Sequence, residues 1–589
     1  MESQEEVEDI QPETLNRIYY LGKLESNVIH TPRDAKEILQ EGKAEVIANE
    51  EGDRNIPSIL AYVEGEEYHG TQAKNQLVRN SKNTVAYFRD YLGKDFSAID
   101  PTPCQASAHP QKHDSTVAFS IQDTESESPN TVTVSEIATR HIRRLAASAS
   151  DYLGRRVNAA VITVPTNFSD EQKEALSKAA KDAGIEVLQM VSEPTAAILA
   201  YDARPEAELK DKIIVVADLG GTRSDVAVIA SRGGIYSILS TKHDYETAGA
   251  QLDQVLIDHF SKEFIKKHKT DPRQNPRSLA KLKLEAEATK KALSLGGNAV
   301  LSVESLADGV DFASTINRTR YELLAGKVFS SFVNLIKETI QSADLDILDV
   351  DEVILSGGTS HTPRISSSLQ SLFPPETRIL SPSTLPTAVD PASLSARGAA
   401  IQASLISEYD SEDIEQSTHP AVTVTPHLAN AIGIMTVSED VKRGVFTQLV
   451  TKDTAVPCRR AIVMNAPKGG GDVIVKLCEA EREIEVTKPE PKPKTNGAAK
   501  KDDDDDDDSD LDDDDSDDEP EEIRKKIWKV GKPLAEIAVR EVKKGGKVEV
   551  TVNIAADMGV QITAREVGGK GGVRGALEKP KPAENGTAS

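Results

Sequence analysis

Cysteine is scarce in this chain: Cys104, Cys458 and Cys478 are the only three in 589 residues, widely spaced and with no histidine at ligand spacing. Neither a disulfide framework nor a thiolate zinc site is supported. Long apolar runs are missing too. No stretch reaches the roughly 18–20 apolar residues a membrane-spanning helix needs, so the protein is read as not crossing a membrane. Aromatic residues make up only 4%, with one tryptophan, Trp528, expected in the core of a β region. Met1–Pro12 carries neither the basic-then-apolar pattern of a secretory signal nor the arginine-rich pattern of a transit peptide, which leads to a cytoplasmic expectation. Positive charge is in deficit. The net charge is −26, and 17 acidic residues fall between Asp502 and Glu522. Such a run repels phosphate backbones and argues against direct nucleic-acid binding. It reads either as a solvated insertion or as an electrostatic dock for a basic partner surface.

What is present is length enough for several folding units. Residues 1–42 form an atypical N-terminal segment. From 43 to 410 short apolar runs alternate with helical periodicity, the pattern of an α/β domain. Ala159–Val164 reads as a buried strand, and Ser169 with Gln172 forms a capping box that opens a helix ending near Gly184. Ile185–Met190 is the next strand. Residues 411–420 read as a linker, and 421–566 as a mostly β domain interrupted by an insertion, 488–522, that cannot bury apolar area. Residues 567–589 read as a flexible tail.

Candidate chemistry concentrates in three places. Asp218, Gly220, Gly221, Thr222 and Asp225 lie on a strand, tight turn, strand pattern. Glycines there admit a phosphate close to backbone N–H groups, and a neighbouring carboxylate can hold the water shell of magnesium. An ordinary Gly-Gly hairpin fits the same residues equally well. Gly357 and Gly358 make a second such turn after the apolar run Val353–Leu355. Between them, Glu287, Lys290, Lys291 and Ser294 fall at i, i+3, i+4 and i+7 and are expected to share one helix face. A solvated face with intrahelical ion pairs explains that spacing as well.

The order of these motifs adds a resemblance. Val161–Phe168, Glu193–Ala197, the Asp218 hairpin, the Gly357 turn and Asp390–Ala403 follow one another as in DnaK-type heat-shock chaperones. The resemblance covers most of Lys43–Glu566. It implies an α/β actin-like ATPase domain of two lobes with ATP and Mg2+ in the cleft, followed by a β-sandwich of the peptide-binding type. It further implies that Glu193, Asp218 and Asp225 stand at the catalytic centre, with magnesium held through water near Asp218 and Glu193. Gly220, Gly221, Thr222, Gly357 and Gly358 would line the phosphates. Glu287, Lys290, Lys291 and Ser294 would hold the adenosine, with Asp390 near the sugar and base.

The chain also departs from that pattern. The family's first phosphate hairpin is missing before Lys43, either through loss or because the first forty residues are wrongly assigned to the coding region. Arg89 stands where active members carry a lysine, and Thr222 and Arg223 replace a glycine and a threonine. Phosphoryl transfer depends on positioning and charge, so hydrolysis is expected to be slow or absent. Glu415–Val424 lacks the leucine-rich run of the family's linker, and no helical lid segment follows the β region. In these features the chain resembles the atypical subunit of the fungal ribosome-associated complex, which pairs with a zuotin-type J-domain protein. That resemblance implies a scaffold and co-chaperone, contacting the ribosome through its partner and assisting an active DnaK-type chaperone on nascent or unfolded polypeptide. The alternatives are a conventional ATP-hydrolysing, peptide-binding chaperone and a sugar kinase on the same fold, which has no use for the β domain.

Overall fold

A computed structural model describes residues 19–21, 29–30, 46–101, 107–125, 128–204, 210–406, 427–438, 441–467, 469–487, 523–555, 557–569 and 571–577. Cys104, the linker 411–420 and the acidic insertion 488–522 lie outside these residues. The chain divides into two compact units, Met1–Thr423 and Val424–Ser589.

The first unit contains one sheet topology twice. In its N-terminal lobe the strands run in the order Glu186–Ser192, Ala159–Val164, Tyr19–Leu21, Ile29–His30, Val46–Ile47; in its C-terminal lobe the order is Ile235–Asp244, Ser224–Arg232, Lys212–Leu219, Glu352–Ser356, Arg378–Leu380. Each lobe thus has an antiparallel meander of three strands, with two further strands added in parallel beside the first. The parallel strands are buried on both faces, which explains apolar runs such as Ala159–Val164, every residue of which is buried. The expected capping box at Ser169 is present and starts the helix Asp170–Asp182. Gly184 follows at φ 83°, the left-handed conformation that ends such helices. The following strand spans Glu186–Ser192, shifted towards the C-terminus relative to the sequence expectation.

The segment before Lys43 contributes to this fold. Tyr19–Leu21 pairs in parallel with Ala160–Ile162 and antiparallel with Ile29–His30. The first hairpin of the lobe therefore exists in topology, without a carboxylate among its described residues.

Two helices join the lobes by exchanging places. Glu193–Asp202 leaves the N-terminal lobe's sheet, yet its Ala197, Ile198 and Tyr201 pack with Ile214, Val216, Ile229 and Ile354 of the other lobe. Leu394–Ile406 leaves the C-terminal lobe, yet its Ala396, Ala399 and Ala403 pack on Val161 of the first. They cross at Gly398, where a Cβ would collide with the Ala196 carbonyl. Only glycine allows so close an approach.

The second unit is an antiparallel β-sandwich. One sheet runs Val441–Val450, Ala431–Ser438, Gly471–Thr487, Ile523–Val542 and the other Cys458–Asn465, Lys547–Ile554, Val560–Glu566, Gly572–Leu577. Alternate residues Val548, Val550, Val552 and Ile554 meet Ile434, Val475 and Leu477 in one core. Two sequence expectations are corrected here. Gly572–Leu577, read as part of a flexible tail, pairs along Val560–Arg565, because an edge strand needs backbone donors and acceptors more than it needs side chains. Trp528, read as core, is half-buried on the Gly471–Thr487/Ile523–Val542 ribbon, beside Phe446 at 5.0 Å and under Arg482 at 5.4 Å. Its partner in register, Arg482, lies past Ala480, the last residue that pairs with Ala431–Ser438. Cys458 and Cys478 are free thiols.

Candidate nucleotide cleft

Strands Lys212–Leu219 and Ser224–Arg232 place Asp218 directly opposite Asp225. Their turn closes tightly, with Gly220 N donating to Arg223 O at 2.9 Å. The Gly220 carbonyl is anchored by Gly249 N at 3.0 Å and by Thr359 Oγ1 at 2.8 Å, while Ala250 N donates to Gly221 O at 2.8 Å. The amino end of helix Gly249–His268 and the second glycine turn therefore converge on the first. Gly357 adopts φ 83°, and a Cβ on it would lie 2.6 Å from Asp218 Oδ1. By contrast, nothing lies within 4 Å of a Cβ built on Gly221 or Gly358. Both expected glycine turns thus meet in one backbone-lined seat beside a helix amino terminus, whose Gly249 and Ala250 N–H groups hold the first turn in place.

Helix Pro276–Leu295 carries the four residues expected to hold the adenosine. Lys290 turns inward, pairing with Asp253 at 2.8 Å and donating to Gly249 O at 3.0 Å. Glu287 reaches Lys74 of the N-terminal lobe at 2.6 Å and Lys291 at 2.8 Å. Burial works to raise the Glu287 pKa, but Lys74 and Lys291 pull it down to about 2. Lys291 is 69% exposed, and Ser294 Oγ donates to Lys290 O. Asp390 caps the short turn Pro391–Ser393 and meets His361 Nε2 at 3.0 Å. Pro391 O accepts from Gly357 N, so Asp390 sits beside the second glycine turn.

The other end of the cleft holds charged pairs. Arg223 is 2% exposed; its Nε lies 2.7 Å from Asp225, and its Nη1 lies 3.4 Å from Asp90 and 3.2 Å from the Tyr245 hydroxyl. Arg89, 4% exposed, bonds Asp90 at 2.9 Å and faces Glu193 at 3.9 Å. His243 Nδ1 closes on the second Asp225 oxygen. Burial favours the neutral form of Asp90, but Arg89 and Arg223 outweigh it and hold the carboxyl well below the usual range. Arg223 is likewise stabilised as a cation: burial and Arg89 oppose its charge, but Asp225, Asp90 and Glu193 prevail.

Asp90, Tyr245, His243, Lys74 and Asp253 were not singled out in the sequence. They reach the site through lobe closure and strand pairing, which leave no local spacing signal. The open space at Gly221 and Gly358 fits a nucleotide, whereas Lys290 is already committed to Asp253 and Gly249 O. Resident magnesium fits poorly, because Glu193 and Asp225, two of the carboxylates that would serve it, already face cations of the chain. Among the described residues no three His, Cys, Asp or Glu side chains are grouped to hold a metal.

The model of the Hsp70 protein family matches residues 35–490. This chain belongs to the Hsp70 family. Its sequence is 42% identical to the ribosome-associated complex subunit SSZ1 of Saccharomyces cerevisiae over 533 residues, covering 90% of this chain and 95% of the relative. It is equally similar, at 42% over 543 residues, to a heat shock protein 70 homolog of Schizosaccharomyces pombe, covering 91% and 92%. Heat shock 70 kDa protein 14 of Danio rerio is 34% identical over 454 residues, covering 76% and 86%. The duplicated lobes are the actin-like ATPase fold of that family, which generally binds ATP with magnesium, and a β-rich region follows it. No helix among the described residues is long and apolar enough to cross a membrane.

Proposed function

We propose that this Hsp70-family chain is a static co-chaperone that holds ATP without productive hydrolysis and works with a J-domain partner of the zuotin type at the ribosome. The observation that carries the reading is the buried Arg223, paired with Asp225 and Asp90 beside the phosphate seat. Gly220, Gly221, Thr222, Gly357 and Gly358 would line the phosphates, and Glu287, Lys290, Lys291, Ser294 and Asp390 would hold the nucleoside. ATP supplies ligand contacts that bridge the lobes. Hydrolysis requires a water aligned on the terminal phosphate and a compact positive charge to orient it. Arg89 is instead committed to Asp90 and lies opposite Glu193, and its planar fork cannot act as a small ammonium does.

The similarity to a ribosome-associated complex subunit over nine-tenths of the chain supports the ribosomal setting. The partner would mediate the ribosome contact, and an active DnaK-type chaperone would act on the nascent polypeptide. Single-turnover hydrolysis of radiolabelled ATP, with and without the J-domain partner, tests this after calorimetry has established binding. Binding without turnover is expected. Partner-stimulated turnover at the rate of an ordinary member would restore the conventional cycling chaperone.

A further inference from the structure

Nucleotide phosphates are ordinarily neutralised in phosphoryl-transfer sites by divalent cations that bridge their oxygens. In this cleft positive charge is built into the chain. Arg223 follows the glycine turn directly, one residue beyond Thr222, with its guanidinium almost wholly buried. Tyr245, Asp225 and Asp90 fix its position, and its Nη2 is buried with no hydrogen-bond partner. Two of the carboxylates that would serve a metal shell already face cations of the chain, Asp225 facing Arg223 and His243, and Glu193 facing Arg89, while Asp218 stands at the two glycine turns.

We propose that Arg223 is a tethered cation for the nucleotide phosphates, so that this cleft retains ATP largely without magnesium. The proposal rests on the nucleotide-binding reading above. Guanidinium is suited to the task, since it stays protonated, offers a planar fork that matches phosphate oxygens, and gives charge-assisted hydrogen bonds. Because folding has already fixed the side chain, little rotamer entropy remains to be lost on binding.

The test is calorimetric titration of the full-length chain with ATP, in magnesium and again in excess EDTA, for the wild type, Arg223→Lys and Arg223→Met. The wild type is expected to lose less than about threefold in affinity on chelation. Arg223→Lys keeps a charge but loses the planar fork and should become more metal-dependent than the wild type, while Arg223→Met should lose at least about tenfold in EDTA, the low end for a charge-assisted hydrogen bond. The proposal is overturned if the wild type loses tenfold or more on chelation, or if Arg223→Met shows the wild-type metal dependence. Should Arg223→Met fail to fold, the wild-type and Arg223→Lys titrations decide alone. ATP bound only with magnesium sinks this inference and leaves the nucleotide reading standing; no binding in either buffer sinks both.

Discussion

Asp90→Asn preserves the size of the side chain and deletes a negative charge that pairs with both cleft arginines. Asp90 lies 2.9 Å from Arg89 and 3.4 Å from Arg223, whose side chains are 4% and 2% exposed. Stripping one partner from a buried ion pair costs about 3–5 kcal/mol. Asp90 itself keeps 20% exposure, so solvent screens part of the loss, and about 2–3 kcal/mol is expected. Urea unfolding read by two probes isolates the effect. All described helices belong to the first unit, so far-ultraviolet circular dichroism follows that unit; Trp528, the single tryptophan, reports on the second. The helical transition should move to lower urea while the tryptophan transition stays in place. In a double-mutant cycle with Arg223→Met, the combined loss should fall short of additivity by about 1 kcal/mol or more. An unmoved helical transition, or strict additivity, would refute the idea that the network is held together through Asp90.

Two further outcomes can be checked. His141 is fully buried between His69 and Phe88, and burial, aided by His69, pushes its pKa down to about 3. The unfolded chain takes up this proton near pH 6.5 and the folded chain does not, so stability falls as pH drops below 6.5, by about 1.4 kcal/mol per unit. His141→Gln should remove about 2 kcal/mol of the decline between pH 6.5 and 5 in thermal or urea unfolding; an unchanged slope would count against a neutral buried imidazole. Gly357→Ala forces a Cβ against Asp218 at a positive φ and should cost about 1–3 kcal/mol and at least about tenfold in ATP affinity. Gly358→Ala, placed in open space, should leave folding unchanged, and equal destabilisation by both would contradict the geometry.

The sequence made the scaffold legible wherever the signal was local. Ser169 and Gln172 set a helix start, Gly184 set a stop, and the buried run Ala159–Val164 marked a two-faced strand. Asp218 and Asp225, seven residues apart, came out directly opposite each other because a tight turn between two strands leaves little freedom of register. The charged helix face was less faithful. Spacing placed Glu287, Lys290, Lys291 and Ser294 on one helix, but it gave no sign of their partners on other elements, Asp253 for Lys290 and Lys74 for Glu287. Asp90 stood beside the substituted Arg89 without attracting notice, since its meaning depends on an arginine 133 residues away. Gly572–Leu577 was hidden by its glycines, whose pairing is a matter of backbone alone.

The exchanged helices impose an order on folding during synthesis. The helix that covers Val161 of the first lobe is encoded at Leu394–Ile406, more than two hundred residues later. Until that stretch leaves the ribosomal tunnel, the first sheet lacks its final cover and the crossing at Gly398 cannot form. A protein proposed to attend nascent chains would therefore itself spend much of its translation with an apolar surface waiting for a segment not yet made.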